Sequence, residues 1–213
     1  GFIHSKENYV TDHVDSTEII ENSGSIYATG HRGHIADFQS TGGKFHSGAD
    51  GNYLYVDNAH LRPLFTQSGV YSRGVIEDVG WSWHSLPKAN NAQLSSEGET
   101  VIYGTGKMIA SGADVWGDKG THLYFNEGVD DGKLESREYV IQQAKDRSGG
   151  KNRHVTVPYT KTQVISQNHI SANDGAITIA SADGSVFLKN TILSTPYDAA
   201  IIARDKVWID GAE

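Results

Sequence analysis

The chain has 213 residues with 18 Lys and Arg against 26 Asp and Glu, a net charge of −8, 24 glycines, 4 prolines and no cysteine. The missing thiols exclude disulfides, thiolate zinc sites and cysteine nucleophiles together, and the acidic balance argues against nucleic acid and anionic lipid as partners, since both need clustered Lys and Arg. A hydrophobic fraction of 37% with 21% charged residues fits a folded chain rather than a disordered one, and no apolar run reaches the length of a membrane span.

The predicted elements are short strands from one end to the other. In chain order they include GSIYATG (24–30), GHIADFQS (33–40), GKFHSG (43–48), NYLYVDN (52–58), GVYSRG (69–74), TVIYGTG (100–106), GKMIASG (106–112), THLYFNEG (121–128) and GKLESRE (132–138). HVTVPY (154–159), TQVISQ (162–167), AITIAS (176–181), SVFLKN (185–190), AAIIAR (199–204) and KVWIDGA (206–212) follow. Each alternates apolar and polar residues over about four to six positions, and Gly, Asn, Asp or Ser bounds it. The best helical candidate, ESREYVIQQAKDR (135–147), also alternates like a strand, and the strand reading is preferred.

A degenerate repeat underlies the pattern. A glycine opens a strand, an apolar residue follows two positions later, and a small residue comes two beyond that. Examples are Gly24-Ser-Ile26-Tyr-Ala28, Gly43-Lys-Phe45-His-Ser47, Gly106-Lys-Met108-Ile-Ala110 and Gly132-Lys-Leu134-Glu-Ser136, with Gly175-Ala-Ile177-Thr-Ile179 a looser copy. Self-similarity at about 20 residues is the mark of a stacked coil architecture. The expected fold is therefore all-β: a right-handed parallel β-helix, one domain over 1–213, with about ten coils. Two stretches break the pattern, the aromatic 61–98 and the polar, Gly-rich 143–162, and both are expected to leave the stack as insertions. The one basic cluster, KDRSGGKNRH (145–154), reads as a solvated loop. WIDGAE stops in mid-pattern, so the chain reads as an excerpt of a longer polypeptide.

From about Gly98 onward the sequence resembles the haemagglutinin-repeat region of two-partner secreted exoproteins, the family of filamentous haemagglutinins, large secreted haemolysins and contact-dependent growth-inhibition proteins. The resemblance rests on GKMIASGADVWGDKGTHLYFNEG (106–128), on QNHISANDGAITIASADGSVFLKNTILSTPYDAAIIARDKVWIDGA (167–212), and on the polar RHVTVPYTKT (153–162) between them. It covers a little over half of the chain. The family's secretion-domain signatures, Asn-Pro-Asn-Leu and Asn-Pro-Asn-Gly, are absent. The resemblance implies a secreted or cell-surface rod in adhesion or contact-dependent toxin delivery. Its partners would be a target-cell receptor or glycan and, for the full-length protein, an outer-membrane transporter. A phage tail fibre or tailspike that binds or cleaves a surface glycan is the alternative.

Chemistry-bearing motifs are sparse. His31 and His34 sit close in sequence, yet the flanking glycines disfavour a helix that would converge their rings, and no metal site is expected. The Asp-rich stretches 48–52, 128–132, 172–175 and 181–185 read as Asx turns at coil corners rather than calcium loops. Asp37, Asp57, Glu77, Asp78 and Asp114 are scattered through the pattern, and no hydrolase, phosphate-loop or metalloprotease motif appears, so no catalytic residue is assigned. No cofactor is expected. The candidate binding residues are Trp81 and Trp83 with Tyr71 and His84, because exposed aromatics stack on sugar rings or fill partner pockets. Trp116 and Trp208 fall inside repeats and are expected in the core or half-buried.

Overall fold

The computed structural model describes residues 2–3, 8–10, 19–21, 26–28, 35–72, 79–131, 133, 135–141, 144–147, 154–156 and 160–210, with side chains described over 37–66, 88–131, 133, 135–138 and 163–210. Every regular element among them is a strand. The chain divides into two compact units: residues 1–64, 91–135 and 166–213 form the first, and residues 65–90 and 136–165 form the second. The second unit takes in 65–90 of the expected insertion 61–98 and all of 143–162.

The first unit winds through seven coils. Coil one holds β1 (Phe2–Ile3) and β2 (Asn8–Val10), and coil two holds β3 (Ile19–Glu21), β4 (Ile26–Ala28) and β5 (Ile35–Thr41). Coil three holds β6 (Lys44–Ser47) and the long β7 (Asn52–Arg62), which serves two strand positions. After β8 (Leu64–Ser72) and β9 (Val79–Asn90), coil four runs through β10 (Ala92–Ser96), β11 (Glu99–Gly104) and β12 (Lys107–Ala110). Coil five is β13 (Ala113–Gly117), β14 (Gly120–Phe125) and β15 (Gly128–Asp130). The chain then makes β16 (Ser136–Ile141), β17 (Ala144–Arg147), β18 (His154–Thr156) and β19 (Thr160–Ile165) of the second unit. It returns for coil six, β20 (Asn168–Ala172), β21 (Ile177–Ser181) and β22 (Ser185–Leu188), and coil seven, β23 (Thr191–Ser194), β24 (Ala199–Ala203) and β25 (Val207–Ile209).

Equivalent strands pair in parallel and in register. The first position stacks β1-β3-β6-β10-β13-β20-β23. The second and third stack on the two halves of β7, one as β7-β11-β14-β21-β24 and the other as β7-β12-β15-β22-β25. Stacked partners lie 21 residues apart at Gln93 and Asp114 and 23 apart at His169 and Ile192. Coils of this length, with two stretches spent on the second unit, explain why the described chain makes seven coils rather than the ten expected. The architecture is all-β, with parallel strands closing around one interior like a solenoid.

Register puts every second side chain inside. Phe45, Leu94, Val115 and Ile170 form one interior ladder. Leu54, Ile102, Leu123 and Ile179 form the second, and Ala59, Met108, Val129 and Val186 the third. Each such aliphatic side chain contributes roughly 1.5–3 kcal/mol by leaving water. Where size changes along a ladder, neighbours compensate. Gly104 stacks directly on Phe125, and a β-carbon on Gly104 would fall 2.1 Å from that ring.

Corners are closed by short polar side chains. The Thr100 hydroxyl donates to the Trp116 carbonyl at 2.7 Å, and the Thr121 hydroxyl donates to that of Ser171 at 2.7 Å. The Asn168 amide donates to the Ala110 carbonyl at 2.7 Å, and its oxygen accepts from the Ala113 N–H at 2.8 Å, so one side chain staples a corner of the coil below. The chain leaves coil five and returns at a clasp: the Ser166 N–H donates to the Glu135 carbonyl at 2.9 Å. The Glu135 carboxylate in turn accepts from Arg62 at 3.0 Å and from Ser111 at 2.9 Å.

The last coil keeps the interior pattern. Val207 and Ile209, 41% and 51% exposed, occupy positions held by fully buried Val186 and Leu188 one coil earlier.

The second unit is antiparallel. β16 pairs with β19, and β18-β17-β9-β8 form a four-stranded sheet. The strand reading of 135–147 therefore holds. Residues 148–153 of the basic cluster lie outside the described residues.

Candidate functional site

The outward side chains of the second strand position build an aromatic column. Tyr55, Tyr103 and Tyr124 occupy the same place in coils three, four and five. The ring centroids are 5.6 Å apart for Tyr55 and Tyr103 and 4.9 Å for Tyr103 and Tyr124, with interplanar angles of 8° and 15°. The rings stack on one another at both steps. Tyr103, at its centre, is 43% exposed. His122 lies 6.3 Å from Tyr124 and nearly parallel to it. The column stops at coil six, where Ala180 takes the next position.

Beside these rings runs an open groove of about 410 Å³, lined by the three tyrosines with Gly104, Thr105 and Asn126. The chain turns out of the second strand position here, so the polar corner residues Thr105 and Asn126 form an exposed rim. Thr105 is held by a hydrogen bond from its hydroxyl to Asp57 Oδ1 at 2.6 Å. None of the six lining residues is charged. The nearest charges along the corner, Asp57 and Glu127, are both acidic. An aromatic wall facing neutral hydrogen-bonding groups suits a ligand with an apolar face and hydroxyl or amide edges.

The residues singled out from sequence fall in the second unit. Tyr71 lies on β8, and Trp81, Trp83 and His84 lie on β9. Those two strands are neighbours in the four-stranded sheet, and Trp81 and Trp83 sit opposite Asp146 and Ala144 of β17. Their side chains lie outside the described residues. The tyrosine column was overlooked, although a signal exists. Aligned on their turns, Leu54-Tyr55-Val56-Asp57, Ile102-Tyr103-Gly104-Thr105 and Leu123-Tyr124-Phe125-Asn126 repeat an aliphatic–Tyr–interior–polar order.

Other expectations resolve individually. Trp116 is half-buried, 5.5 Å from His46. Trp208, expected in the core or half-buried, is 42% exposed and so not a core residue, with the Lys206 ammonium 4.0 Å from its ring centroid. Among the suspected carboxylates, Asp37 accepts from Asn58 at 3.1 Å and Asp114 from Asn91 at 2.9 Å. Glu77, Asp78, His31 and His34 lie outside the described residues. Two of the acidic corners carry coil-to-coil ion pairs, Lys119 with Asp174 at 2.5 Å and Arg204 with Asp183 at 2.8 Å. Lys119 and a hydrogen bond from the Tyr197 hydroxyl at 2.9 Å hold the Asp174 carboxyl below its ordinary range.

Asp131 does not behave as a corner residue. It is buried at 2% exposure. Its Oδ2 accepts from the Asn190 N–H and from the Thr191 hydroxyl, while Oδ1 has no hydrogen-bond partner among the described residues. Burial raises its carboxyl above the ordinary value despite those donors. Among the described residues no three His, Cys, Asp or Glu side chains converge as a metal site would require.

Comparison with family models, curated proteins and solved structures finds no match for the chain.

Proposed function

We propose that the chain is a length of right-handed parallel β-helix forming the shaft, or a receptor-contacting segment, of a large secreted bacterial exoprotein. It acts in adhesion or contact-dependent toxin delivery, without catalysis. The observation that supports this best is the in-register stack: coils of 17 to 25 residues repeat one interior and turn alternate side chains outward. Such a scaffold extends by a fixed rise of about 4.8 Å per coil and displays side chains at that interval. Absence of cysteine suits a chain that crosses membranes unfolded. The full-length protein would use an outer-membrane transporter, and its contact would be a receptor or glycan on the target cell.

The test has two parts. Antibody against the purified chain should label intact producing cells, and the label should vanish on brief external proteolysis. The purified chain should also compete with those cells for target-cell binding. A signal that appears only after lysis, together with no competition, would refute the reading. A crystal structure with left-handed coils would refute the β-helix type, and a tight trimer in solution would favour a tail fibre instead.

A further inference from the structure

We propose that the tyrosine-lined groove is a binding site for a neutral, extended oligosaccharide lying along the direction of coil stacking. This names the ligand class for the contact invoked above, and binding by the isolated chain does not depend on where the protein is located. Four observations converge on it. First, three tyrosine rings recur at 5.6 and 4.9 Å between centroids, close to the advance of one pyranose unit in an extended chain. Successive sugars would therefore meet the exposed parts of successive rings. Second, the central ring, Tyr103, is 43% exposed although it stacks on both neighbours, so the column presents an open aromatic surface. Third, the opposite rim offers a hydroxyl at Thr105 and an amide at Asn126, both exposed and able to bond sugar hydroxyls. Fourth, the lining carries no charge and its fringe is acidic at Asp57 and Glu127. A uronic acid or sulfated polymer would be repelled, and a neutral one would not.

Geometry also sets the length. The column spans coils three to five and ends at Ala180. Affinity should rise as the oligosaccharide grows to about three units, one per ring, and then level off.

Purified chain titrated with neutral cello-, malto- and chito-oligosaccharides, followed by calorimetry and tyrosine fluorescence, tests the assignment. At least one neutral series should bind with that length dependence, and an oligogalacturonate of equal length should bind more weakly. Tyr103→Ala should weaken binding by about tenfold, the scale of one lost aromatic contact, while Tyr103→Phe keeps it within about threefold because the ring face remains. If Tyr103→Ala disturbs folding, Asn126→Ala at the exposed rim supplies the same reading and should also weaken binding. Absence of binding by every neutral series at millimolar concentration would overturn the proposal, as would stronger binding of the oligogalacturonate. Binding untouched by Tyr103→Ala or Asn126→Ala in a folded chain would overturn it as well. Capture of a flat aromatic dye with no saccharide binding would assign the groove to another chemistry. None of these failures bears on surface labelling of intact cells, which tests the shaft reading separately.

Discussion

Gly104→Ala is the sharpest probe of the interior. The backbone at this glycine needs no left-handed conformation, so an alanine meets steric resistance alone. The added β-carbon would lie 2.1 Å from both Cδ1 and Cε1 of Phe125, against about 3.5–4.0 Å for carbon atoms in contact. Relief requires the ring to retreat by more than about 1 Å, and Phe125 is only 1% exposed in a packed interior. Overpacking of this kind costs about 1–3 kcal/mol, after the roughly 0.5–1 kcal/mol that alanine otherwise gains over glycine in a strand. The melting temperature should fall by about 2–8 °C. Phe125→Leu alone should also destabilise, by about 1–2 kcal/mol, through the space it vacates. Together they should not add, because the smaller leucine makes room for the methyl group. A double-mutant cycle in urea should give a favourable coupling of about 0.5–3 kcal/mol. Strict additivity, or Gly104→Ala more stable than the parent, would refute the register that sets these residues against each other.

Three further outcomes are expected. Val186→Asp puts an unpaired carboxylate into the third interior ladder, so it should cost several kcal/mol, about 3 or more; an unchanged melting curve would deny that Val186 points inward. Asp131→Asn should stabilise the protein at neutral pH and flatten its pH dependence. The native Asp131 carboxyl holds its proton above the unfolded value of 3.8, so its contribution is most favourable below that value and declines as pH rises through the raised native one. Melting scans from about pH 4 to pH 7 should therefore show a steeper fall for the parent than for the variant. Trp81→Ala with Trp83→Ala should weaken target-cell adhesion with a melting temperature within about 2 °C of the parent; a large loss of stability with adhesion intact would make those residues packing elements.

Much of the coil architecture was legible because its cause is local. Ile177, Ile179, Val186 and Leu188 alternate with polar residues, and alternation on a strand is itself the statement of which face is buried. The glycine and asparagine corners follow from the same local chemistry. Coil count was harder to read, since the sequence does not say where the chain steps out of register: Glu135 and Ser166, the points of departure and return, carry no turn signature of their own. Two features escape the sequence for one shared reason, that stacking and not chain proximity defines them. The tryptophans attracted attention because they are rare and close together, whereas Tyr55, Tyr103 and Tyr124 are 48 and 21 residues apart and become neighbours only through stacking. Asp131 sits beside Asp130 in an apparently solvent-facing GVDDG, yet strand alternation sends one carboxylate out and the other in. Only the paired strands decide which.

The clasp of Glu135 and Ser166 has a consequence for how such a molecule changes over generations. Thirty residues depart and come back at one clasp, where the Ser166 N–H and hydroxyl both donate to the Glu135 carbonyl and whose supports, Arg62 and Ser111, belong to the stack. Across that gap the coils keep their register, β13 with β20 and β15 with β22, whatever the length of chain between the two points. Chain length can thus change at this point of the winding without moving any interior side chain to the outer face.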